Sequence, residues 1–366
     1  MALPIRRTPI AIGVLTVVAL SGGAAYAVTT TAESSALRAP VAASVTDFTS
    51  NPAATVYLEA DLNGRNEQMK APQTPMGDPR GSAVEILRIR GNQVAFEITW
   101  QNLTAPTTDK VHAGAAGTAG ASVIPMLTQP MSDTLTAVAG TVTVNDRAML
   151  NRLVGRPSQF YANFGDARYP NGAVRGQFRA IGPVDFQRIM HVGQFAALGD
   201  ADQEVLAGGN NNARTTAFLG LNPNSINYAA SWTGVNSPTA FTVNKGAVGA
   251  NGALAATLFA APHGLAPSIT AVAGIAMNVP ASTIAAIKAN PAMFHTSLIT
   301  AGFPSGAARG QLFLTAPPTQ PTMPANPTTT MPAPTTMPSQ PTTPANPTMP
   351  TMPTMPSGTA PAPPHW

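Results

Sequence analysis

Apolar and polar residues alternate with a period of two along much of the chain. VAFEITW at 94–100, TVTV at 141–144 and AVRGQFRAI at 173–181 each place apolar side chains mainly on one face. This pattern predicts half-buried β-strands. Clusters of Gly, Pro, Asn and Thr separate such runs every 8–15 residues, which is typical of an antiparallel β-sandwich.

The same patterns return later in the chain, as INYAASW, ITAVAGIAM and AARGQLFLT. Two short segments carry apolar residues at helical spacing instead. They predict helices at 145–153 and 281–289, which Asp146 and Ser282 would start.

A tandem duplication accounts for the return of these patterns. Trp100 precedes Val111 by 11 positions, and Trp232 precedes Val243 by the same 11. The glycines that follow are spaced alike in the two places: Gly114, Gly117 and Gly120, then Gly246, Gly249 and Gly252. Matching anchors in one order are the signature of a repeated structural unit.

We therefore predict an all-β protein with two tandem antiparallel β-sandwich domains, immunoglobulin-like or superoxide-dismutase-like. The two copies are placed at 51–182 and 188–315. The remaining segments are predicted to be a signal peptide (1–27), a linker (28–50) and a disordered tail (316–366).

One ten-residue phrase occurs once in each copy. It reads YPNGAVRGQF at 169–178 and FPSGAARGQL at 303–312. Tight turns favour Pro, a small polar residue and Gly in this order, so we predict that the phrase closes a hairpin in each copy. Gly176 and Gly310, inside the following strands, predict a bulge or a close backbone approach.

Arg175 and Arg309 stand alone in otherwise apolar strands. A buried guanidinium needs a carboxylate or carbonyl partner. Glu67 and Glu204, in the front motifs of the two copies, are the candidates, and a solvated strand arginine is the alternative. We predict a structural role for these residues and for the glycines that follow the arginines.

The first residues have the features of an export signal. Arg6 and Arg7 precede an apolar run, and Ala25-Tyr26-Ala27 supplies the small-x-small pattern of a cleavage site. We predict cleavage after Ala27 and a mature chain that works outside the cytoplasm. An uncleaved membrane anchor is the alternative.

The tail is rich in proline and has no charged residues. Residues 316–366 hold 17 of the 37 prolines and no Asp, Glu, Lys or Arg. Such a segment cannot bury a core, so we predict an extended stalk, which its Thr content allows to be O-glycosylated. Met349, Met352 and Met355 recur every three residues and would share one face of a polyproline helix, where their sulfurs suit Cu(I). Drift in a Thr-Met-Pro repeat explains the spacing equally well.

Composition argues against several function classes. The net charge is +4, but no Lys/Arg run reaches three residues, so the clustered charge that nucleic-acid binding needs is missing. The chain has no Cys, and therefore no thiolate ligand or nucleophile. No G-x-S-x-G motif occurs, and the glycine array lacks the lysine of a phosphate-binding loop. His191, His263 and His295 are isolated and fit turn or core positions better than a metal site.

The motif order L-x-G-x-x-E, V-H-x-G-x-x-G-x-x-G and P-x-G-x-x-R-G-Q resembles the CHRD domain, named from the repeats of chordin and common in secreted bacterial proteins. The matching residues are Leu62, Gly64, Glu67, Val111, His112, Gly114, Gly117, Gly120, Pro170, Gly172, Arg175, Gly176 and Gln177, then Leu198, Glu204, Val243, Gly246, Gly249, Gly252, Pro304, Gly306, Arg309, Gly310 and Gln311. The resemblance implies an extracellular all-β module, loosely similar to the Cu/Zn superoxide dismutase sandwich, with no settled enzymatic activity.

The chain departs from that family at the histidines. The family usually has His-Ile-His before the glycine array and Asn-Val-His-Thr before the Pro-x-Gly turn, and such imidazoles suit Cu or Zn. Here the first pattern reads 110–112 KVH and 242–244 TVN, and the second, at 163–166 and 297–300, holds no histidine. Only His112 remains, so we predict no cofactor and regard His112 and the tail methionines as weak metal candidates.

The sequence favours a secreted or cell-envelope protein without catalytic residues, acting as a structural or adhesive binding module. Its partner would be a protein or polysaccharide of the envelope or extracellular space, and not nucleic acid, with no transmembrane segment in the mature chain. Two alternatives stay open: a metal-handling or enzymatic protein on the same sandwich, superoxide-dismutase-like or a hydrolase, and a ligand-sequestering module.

Overall fold

The computed structural model describes residues 54–67, 77–185, 188–190, 193–205, 209–210 and 212–315, and two short paired strands, Val14–Thr16 and Thr29–Thr31. Apart from those strands, the predicted signal peptide, linker and tail lie outside the described residues. Both copies belong to one compact unit, Met1–Thr319. Within the described part, no helix has the length and apolarity needed to cross a membrane.

Each copy contains eight strands in the described residues, and the all-β prediction is confirmed. Copy 1 consists of β1 (Thr55–Asn63), β2 (Ser82–Arg90), β3 (Gln93–Gln101), β4 (Pro106–Ala113), β5 (Ser122–Leu127), β6 (Leu135–Thr143), β7 (Phe160–Asp166) and β8 (Val174–Ile181). Copy 2 consists of β9 (Phe195–Asp200), β10 (Arg214–Leu221), β11 (Ile226–Thr233), β12 (Ala240–Lys245), β13 (Leu254–Ala260), β14 (Ile269–Ala276), β15 (Phe294–Thr300) and β16 (Phe303–Leu314).

The strands of each copy form a β-sandwich. Their order is β5-β4-β7-β8-β1-β2-β3-β6 in copy 1, and copy 2 repeats it as β13-β12-β15-β16-β9-β10-β11-β14. Trp100 on β3 contacts Phe164 on β7, with ring centroids 5.5 Å apart, although three strands separate β3 from β7. In copy 2 the equivalent tryptophan, Trp232 on β11, contacts Phe259 on β13, with ring centroids 6.4 Å apart. Each sheet therefore curls over, and its halves pack face to face around an apolar core.

The two copies are joined edge to edge. The equivalent strands β6 and β14 pair antiparallel, so the described strands of both copies form one sheet of sixteen. Val138 pairs with Val272, and these valines are themselves equivalent, 134 positions apart. A local two-fold axis therefore passes between them.

Two equivalent glycines allow this close approach. A Cβ on Gly140 would lie 2.1 Å from the carbonyl oxygen of Ser268, which accepts the N–H of Thr141 at 2.9 Å. A Cβ on Gly274 would lie 2.1 Å from the carbonyl oxygen of Thr134. Any side chain at these positions would push the two copies apart.

The segment between the copies covers one face of this junction. Ile189 is buried against small residues of the joined strands, namely Ala137, Ala139, Ala271 and Ala273, and against Ala229. Arg188 donates its backbone N–H to Glu97 Oε2 at 3.2 Å. Burial raises the pKa of Glu97 to about 7, and the positive charge of Arg188 opposes that shift.

One helix follows β6 and one follows β14: α1 (Arg147–Gly155) and α2 (Ala281–Ala289). Asp146 starts α1 as predicted, since its carboxylate accepts the N–H of Met149 at 2.9 Å. The prediction that Ser282 starts α2 is wrong. Pro280 precedes the first helical residue, and its carbonyl accepts the N–H of Ile284 at 3.1 Å.

The repeated phrase lies at the hairpin between β7 and β8 in copy 1 and at the equivalent hairpin between β15 and β16 in copy 2. Gly172 has a φ of 144° and donates its N–H to the carbonyl of Tyr169 at 3.0 Å, as a tight turn requires. In copy 2 the Thr300 hydroxyl accepts the N–H of Phe303 at 3.2 Å. In copy 1 the Asp166 carboxylate accepts the N–H of Tyr169 at 2.8 Å in the same way, and Gly306 repeats the positive φ of Gly172, at 133°, so the two hairpins match.

We expect Gly140→Ala to lower the free energy of unfolding by about 1–3 kcal/mol, because the new methyl group overpacks the β6–β14 junction. Urea unfolding followed by tryptophan fluorescence measures the change. Gly182→Ala is the matched control, since a Cβ there meets no atom within 4 Å, and it should change stability by less than about 0.5 kcal/mol. Equal effects of the two substitutions would contradict the close approach at the junction.

Candidate functional site

The polar side chains of the repeated phrase lie on one face of β8, β7 and β4. The register pairs Arg175 with Asn163 and Gln177 with Tyr161 on β7. It then pairs those β7 residues with β4. Directly paired residues project from the same face of a sheet. We call this set the outer polar face of copy 1: Lys110, His112, Tyr161, Asn163, Arg175 and Gln177.

Arg175 binds the glycine loop between β4 and β5. Its Nη2 donates to the carbonyl oxygens of Ala115 at 3.1 Å and Thr118 at 2.7 Å. Its guanidinium carbon lies 3.4 Å from the ring centroid of Tyr161. The residue is only 3% exposed, so it is not a solvated strand arginine.

Arg309 makes the same contacts in copy 2. Its Nη2 donates to the carbonyl oxygens of Ala247 at 2.7 Å and Ala250 at 3.0 Å, and its Nη1 donates to Asn251 Oδ1 at 3.1 Å. Arg309 is 1% exposed. In both copies, carbonyl oxygens of one loop therefore replace water as the hydrogen-bond acceptors of the buried guanidinium.

The glutamates lie near these arginines but play another part. Glu67 accepts hydrogen bonds from Asn163 Nδ2 at 3.2 Å, whereas the hydrogen bonds described for Arg175 end on loop carbonyls. Burial lowers the pKa of Arg175, and Tyr161 and Glu67 oppose that shift. The carboxylate of Glu67 also fills the space beside Gly172, where a Cβ would lie 2.6 Å from Oε2.

Copy 2 repeats this arrangement. A Cβ on Gly306 would approach Glu204 Oε1 to 2.2 Å, and that oxygen is buried without a hydrogen-bond partner. Burial raises the pKa of Glu204, while Arg309 opposes the shift. The glutamates therefore act on the arginines through space, and the glycine of the Pro-x-Gly phrase leaves room for each carboxylate.

The glutamine that ends the motif has a role that the sequence did not reveal. Gln177 Nε2 donates to the carbonyl oxygens of Gly114 at 2.6 Å and Ser158 at 2.8 Å. Gln311 Nε2 donates to those of Gly246 at 2.9 Å and Ala292 at 2.7 Å. Each glutamine thus ties the glycine loop to the short 3₁₀ turn that precedes β7 or β15.

The glycine after each arginine permits close strand contact. A Cβ on Gly176 would lie 2.5 Å from the carbonyl oxygen of Asp61, and one on Gly310 would lie 2.9 Å from the backbone nitrogen of Gly199. Both distances are too short for any side chain. Of the two readings that the sequence offered, a bulge or a close backbone approach, these distances indicate the approach.

His112 also serves the glycine loop. Its Nδ1 lies 2.9 Å from the carbonyl oxygen of Gly120, and its ring stacks on Tyr161 with centroids 5.0 Å apart. Burial lowers its pKa. Tyr161 in turn accepts the N–H of Gly120 on its hydroxyl, at 3.1 Å.

The β4–β7 register brings together the positions at which the CHRD domain usually has histidine. Residues 110, 112 and 165 share one face of the β4–β7 pair, and they are Lys110, His112 and Gly165, so a single imidazole stands there. The described residues contain no group of three His, Cys, Asp or Glu side chains suited to a metal. His191 and the methionines at 349, 352 and 355 lie outside the described residues.

The two remaining described histidines lie apart. His295 takes the place of Tyr161 in copy 2 and is buried, with Nδ1 3.3 Å from the carbonyl oxygen of Gly246. His263 is exposed in the loop before β14.

A family model described as the CHRD domain matches residues 58–178 and again residues 195–312. The chain belongs to the CHRD family. Comparison with curated proteins and with solved structures found no match. In both CHRD copies, the arginine and glutamine of the P-x-G-x-x-R-G-Q motif bind backbone carbonyls, and this places the glycine array.

One feature separates the two CHRD copies and was missed from the sequence. Glu85 on β2 and Asp109 on β4 are fully buried in the core of copy 1, and none of their carboxylate oxygens has a hydrogen-bond partner. Burial raises the pKa of both carboxyls, and Asp109 raises that of Glu85 further. The sequence signal for this pair was that Glu85 lies on the same face of β2 as the apolar residues Ala83 and Leu87.

Copy 2 has apolar residues at these two positions. Ala217 and Phe241 stand 132 positions after Glu85 and Asp109, and both are buried. A CHRD sandwich of this chain therefore folds without the acid pair. The larger residue of the pair is on β2 in copy 1 (Glu85), whereas in copy 2 it is on β12, the equivalent of β4 (Phe241).

We expect Arg175→Met to release the glycine loop of copy 1, because the carbonyls of Ala115 and Thr118 lose a charged donor. The free energy of unfolding should fall by about 2–4 kcal/mol. Hydrogen exchange at 115–120 should quicken, while exchange at the copy 2 loop, 247–252, stays unchanged. Arg309→Met should give the converse pattern, and loss of protection in both loops from either change would contradict this assignment.

We expect copy 1 to lose stability as pH rises above about 4, the ordinary range of a carboxyl group. The folded state holds protons on Glu85 and Asp109 that the unfolded chain has released, so the free energy of unfolding falls by at most about 1.4 kcal/mol per pH unit for each carboxyl. Glu85→Ala with Asp109→Phe, which installs the copy 2 residues, should flatten this dependence in urea titrations from pH 5 to pH 8, the upper limit being the raised pKa of Asp109, about 8. An unchanged slope in the double variant would rule out the acid pair as its source.

Proposed function

We propose that this chain is an exported, non-catalytic structural or adhesive module, with two CHRD sandwiches held at the cell envelope by a Pro/Thr-rich stalk. Its partner would be a protein or polysaccharide of the envelope or extracellular space. The glycine loops of the two copies would make the contact.

The observation that carries this proposal is that the motif's polar side chains bind the protein's own backbone. In copy 1 the arginine, glutamine and histidine all bind the backbone of one loop. Side chains engaged in this way support a loop and are not free to act on a substrate. Binding by loops set on a rigid sandwich is a common arrangement in extracellular β proteins.

The loop tips differ between the copies, while the arginine and glutamine that support the loops are the same. Ala116 in copy 1 corresponds to Val248 in copy 2, whose side chain is 82% exposed. Gln159 and Ser122, beside the first loop, correspond to Met293 and Leu254. A shared frame with divergent tips favours recognition by the tips.

Co-sedimentation of the purified mature protein with envelope material tests the proposal. Val248→Asp should reduce the bound fraction several-fold, because a charge replaces an exposed apolar side chain at the loop tip. Met277→Asp is the matched control, since Met277 is an exposed apolar residue (59%) away from the glycine loops, and it should leave binding unchanged. Failure of the wild-type protein to bind, or an equal loss in both variants, would reject recognition by the loops.

Metal analysis of the same preparation addresses the competing hypothesis of a metal-handling protein or enzyme. We expect less than one metal ion per chain and an N-terminus that follows Ala27. A stoichiometric metal together with superoxide-removing or hydrolase activity would favour the competing hypothesis.

A further inference from the structure

The sixteen-stranded sheet has two outer edges of different character. Each copy has two edge strands, β5 and β6 in copy 1 and β13 and β14 in copy 2, and β6 and β14 pair with each other. In the part of the chain that the structure describes, β5 and β13 are left without a second neighbour. A strand in this position presents N–H and C=O groups that can pair with another chain.

The direction of the free groups on β13 follows from the hydrogen bonds of β12. Lys245 donates its N–H to Ala253, on the β13 side, and Gly246 donates to Met293, on the β15 side. Successive residues of a strand bond to opposite sides, so Thr242 bonds toward β15. Its partner on β13 is Thr257. The backbone N–H and C=O of Thr257 therefore point away from β12, toward the open edge.

The same reasoning applies to β5. Ala113 donates its N–H to Ala121, on the β5 side, and Gly114 donates to Gln159, next to β7. Lys110 therefore bonds toward β7, and its partner on β5 is Pro125. The nitrogen of Pro125 points to the open edge, where it carries a ring and no hydrogen.

Pro125 and Thr257 are equivalent residues, 132 positions apart. A proline at this place protects an edge because it removes the outward donor and its ring obstructs a new strand. β-Bulges are another protection, but they do not distinguish the edges, because β5 and β13 each have two register irregularities against their neighbours. Charged residues do not distinguish them either, since none occurs between Lys245 and Lys288, or between Lys110 and Asp133. The proline is thus the difference between the two edges, and β13 lacks it.

The surface of β13 also favours association. Leu254, its first residue, is 61% exposed, and Thr257 and Ala260 are exposed as well. The equivalent of Leu254 in β5 is Ser122. An apolar, uncharged strand with free backbone groups is the kind of edge that natural sheets cover.

We propose that β13 is a homodimer interface, at which two copies of this chain pair antiparallel with the Thr257 residues opposite each other. This is the mode by which β6 and β14 already join inside the chain. A two-fold pairing covers both unprotected edges at once, and the joined sheet then ends at both sides on β5, where Pro125 prevents further addition. The assembly is closed, as symmetric dimers are.

Sedimentation velocity of the full mature chain over a range of micromolar concentrations tests this proposal. We expect the wild-type protein to be a dimer. Thr257→Pro copies the residue of the equivalent edge, whose burial pattern is the same along β5 and β13, so the sandwich should fold and the dimer dissociation constant should rise at least about tenfold, or ~1.4 kcal/mol. Thr257→Lys, at an exposed position, should have the same effect and guards against a folding defect of the proline variant.

The converse substitution sharpens the test. Pro125→Thr should open the second edge and yield species larger than a dimer, whereas Pro125→Thr with Thr257→Pro should again give dimers, now through β5. A monomeric wild-type protein would overturn the proposal. A dimer that persists in both folded Thr257 variants would also overturn it. So would a dimer that depends on residues 316–366 instead of Thr257, since the tail would then join the two chains.

Discussion

A guanidinium group cannot leave water unless acceptors replace the solvent around its donors. In both copies these acceptors are carbonyl oxygens of the glycine loop, two for Arg175 and two for Arg309. The loop can offer them because its glycines permit close turns, and the arginine can reach them because the next residue is again glycine, which lets the neighbouring strand approach. Folding of the loop and burial of the cation are thus one event. The glutamine adds to it in both copies, and His112 and Tyr161 add to it in copy 1.

Much of the fold could be read from the sequence, because period-two alternation and the duplicated anchors are local signals. The caps of the two hairpin turns could not, since the N–H groups of Tyr169 and Phe303 are accepted by side chains that precede each phrase, Asp166 and Thr300. The partner of Arg175 was also hidden. Spacing pointed to a nearby carboxylate, but the acceptors are backbone atoms, which every residue has and no motif marks.

The pairing of β6 with β14 was equally invisible from the sequence. Val138 and Val272 look like ordinary core residues of separate sandwiches, and Gly140 looks like an ordinary strand glycine. Only their positions in the sheet reveal that one copy is the other's neighbour. The acid pair was missed for another reason. Glu85 breaks the apolar alternation of its strand, but a single charged residue in a strand is usually explained by a polar face.

The two copies show how a duplicated unit diverges under different constraints. The arginine and glutamine that support the loop are the same in both copies, because loss of either donor leaves buried carbonyls without a hydrogen bond. The core position occupied by Glu85 and Asp109 has moved between acidic and apolar pairs of similar total size, Ala217 and Phe241 in copy 2. Val248, at a loop tip, is largely exposed and stands where copy 1 has Ala116.

The two-fold axis between Val138 and Val272 carries an evolutionary consequence. Symmetric contacts between equivalent residues arise naturally when identical subunits associate, so the junction is what a homodimer of a single-copy precursor would leave behind. Fusion of two such subunits into one chain would make the association intramolecular and independent of protein concentration. Two halves of one chain need not have identical sequences, and the outer strands differ accordingly, with Pro125 on one and Thr257 on the other.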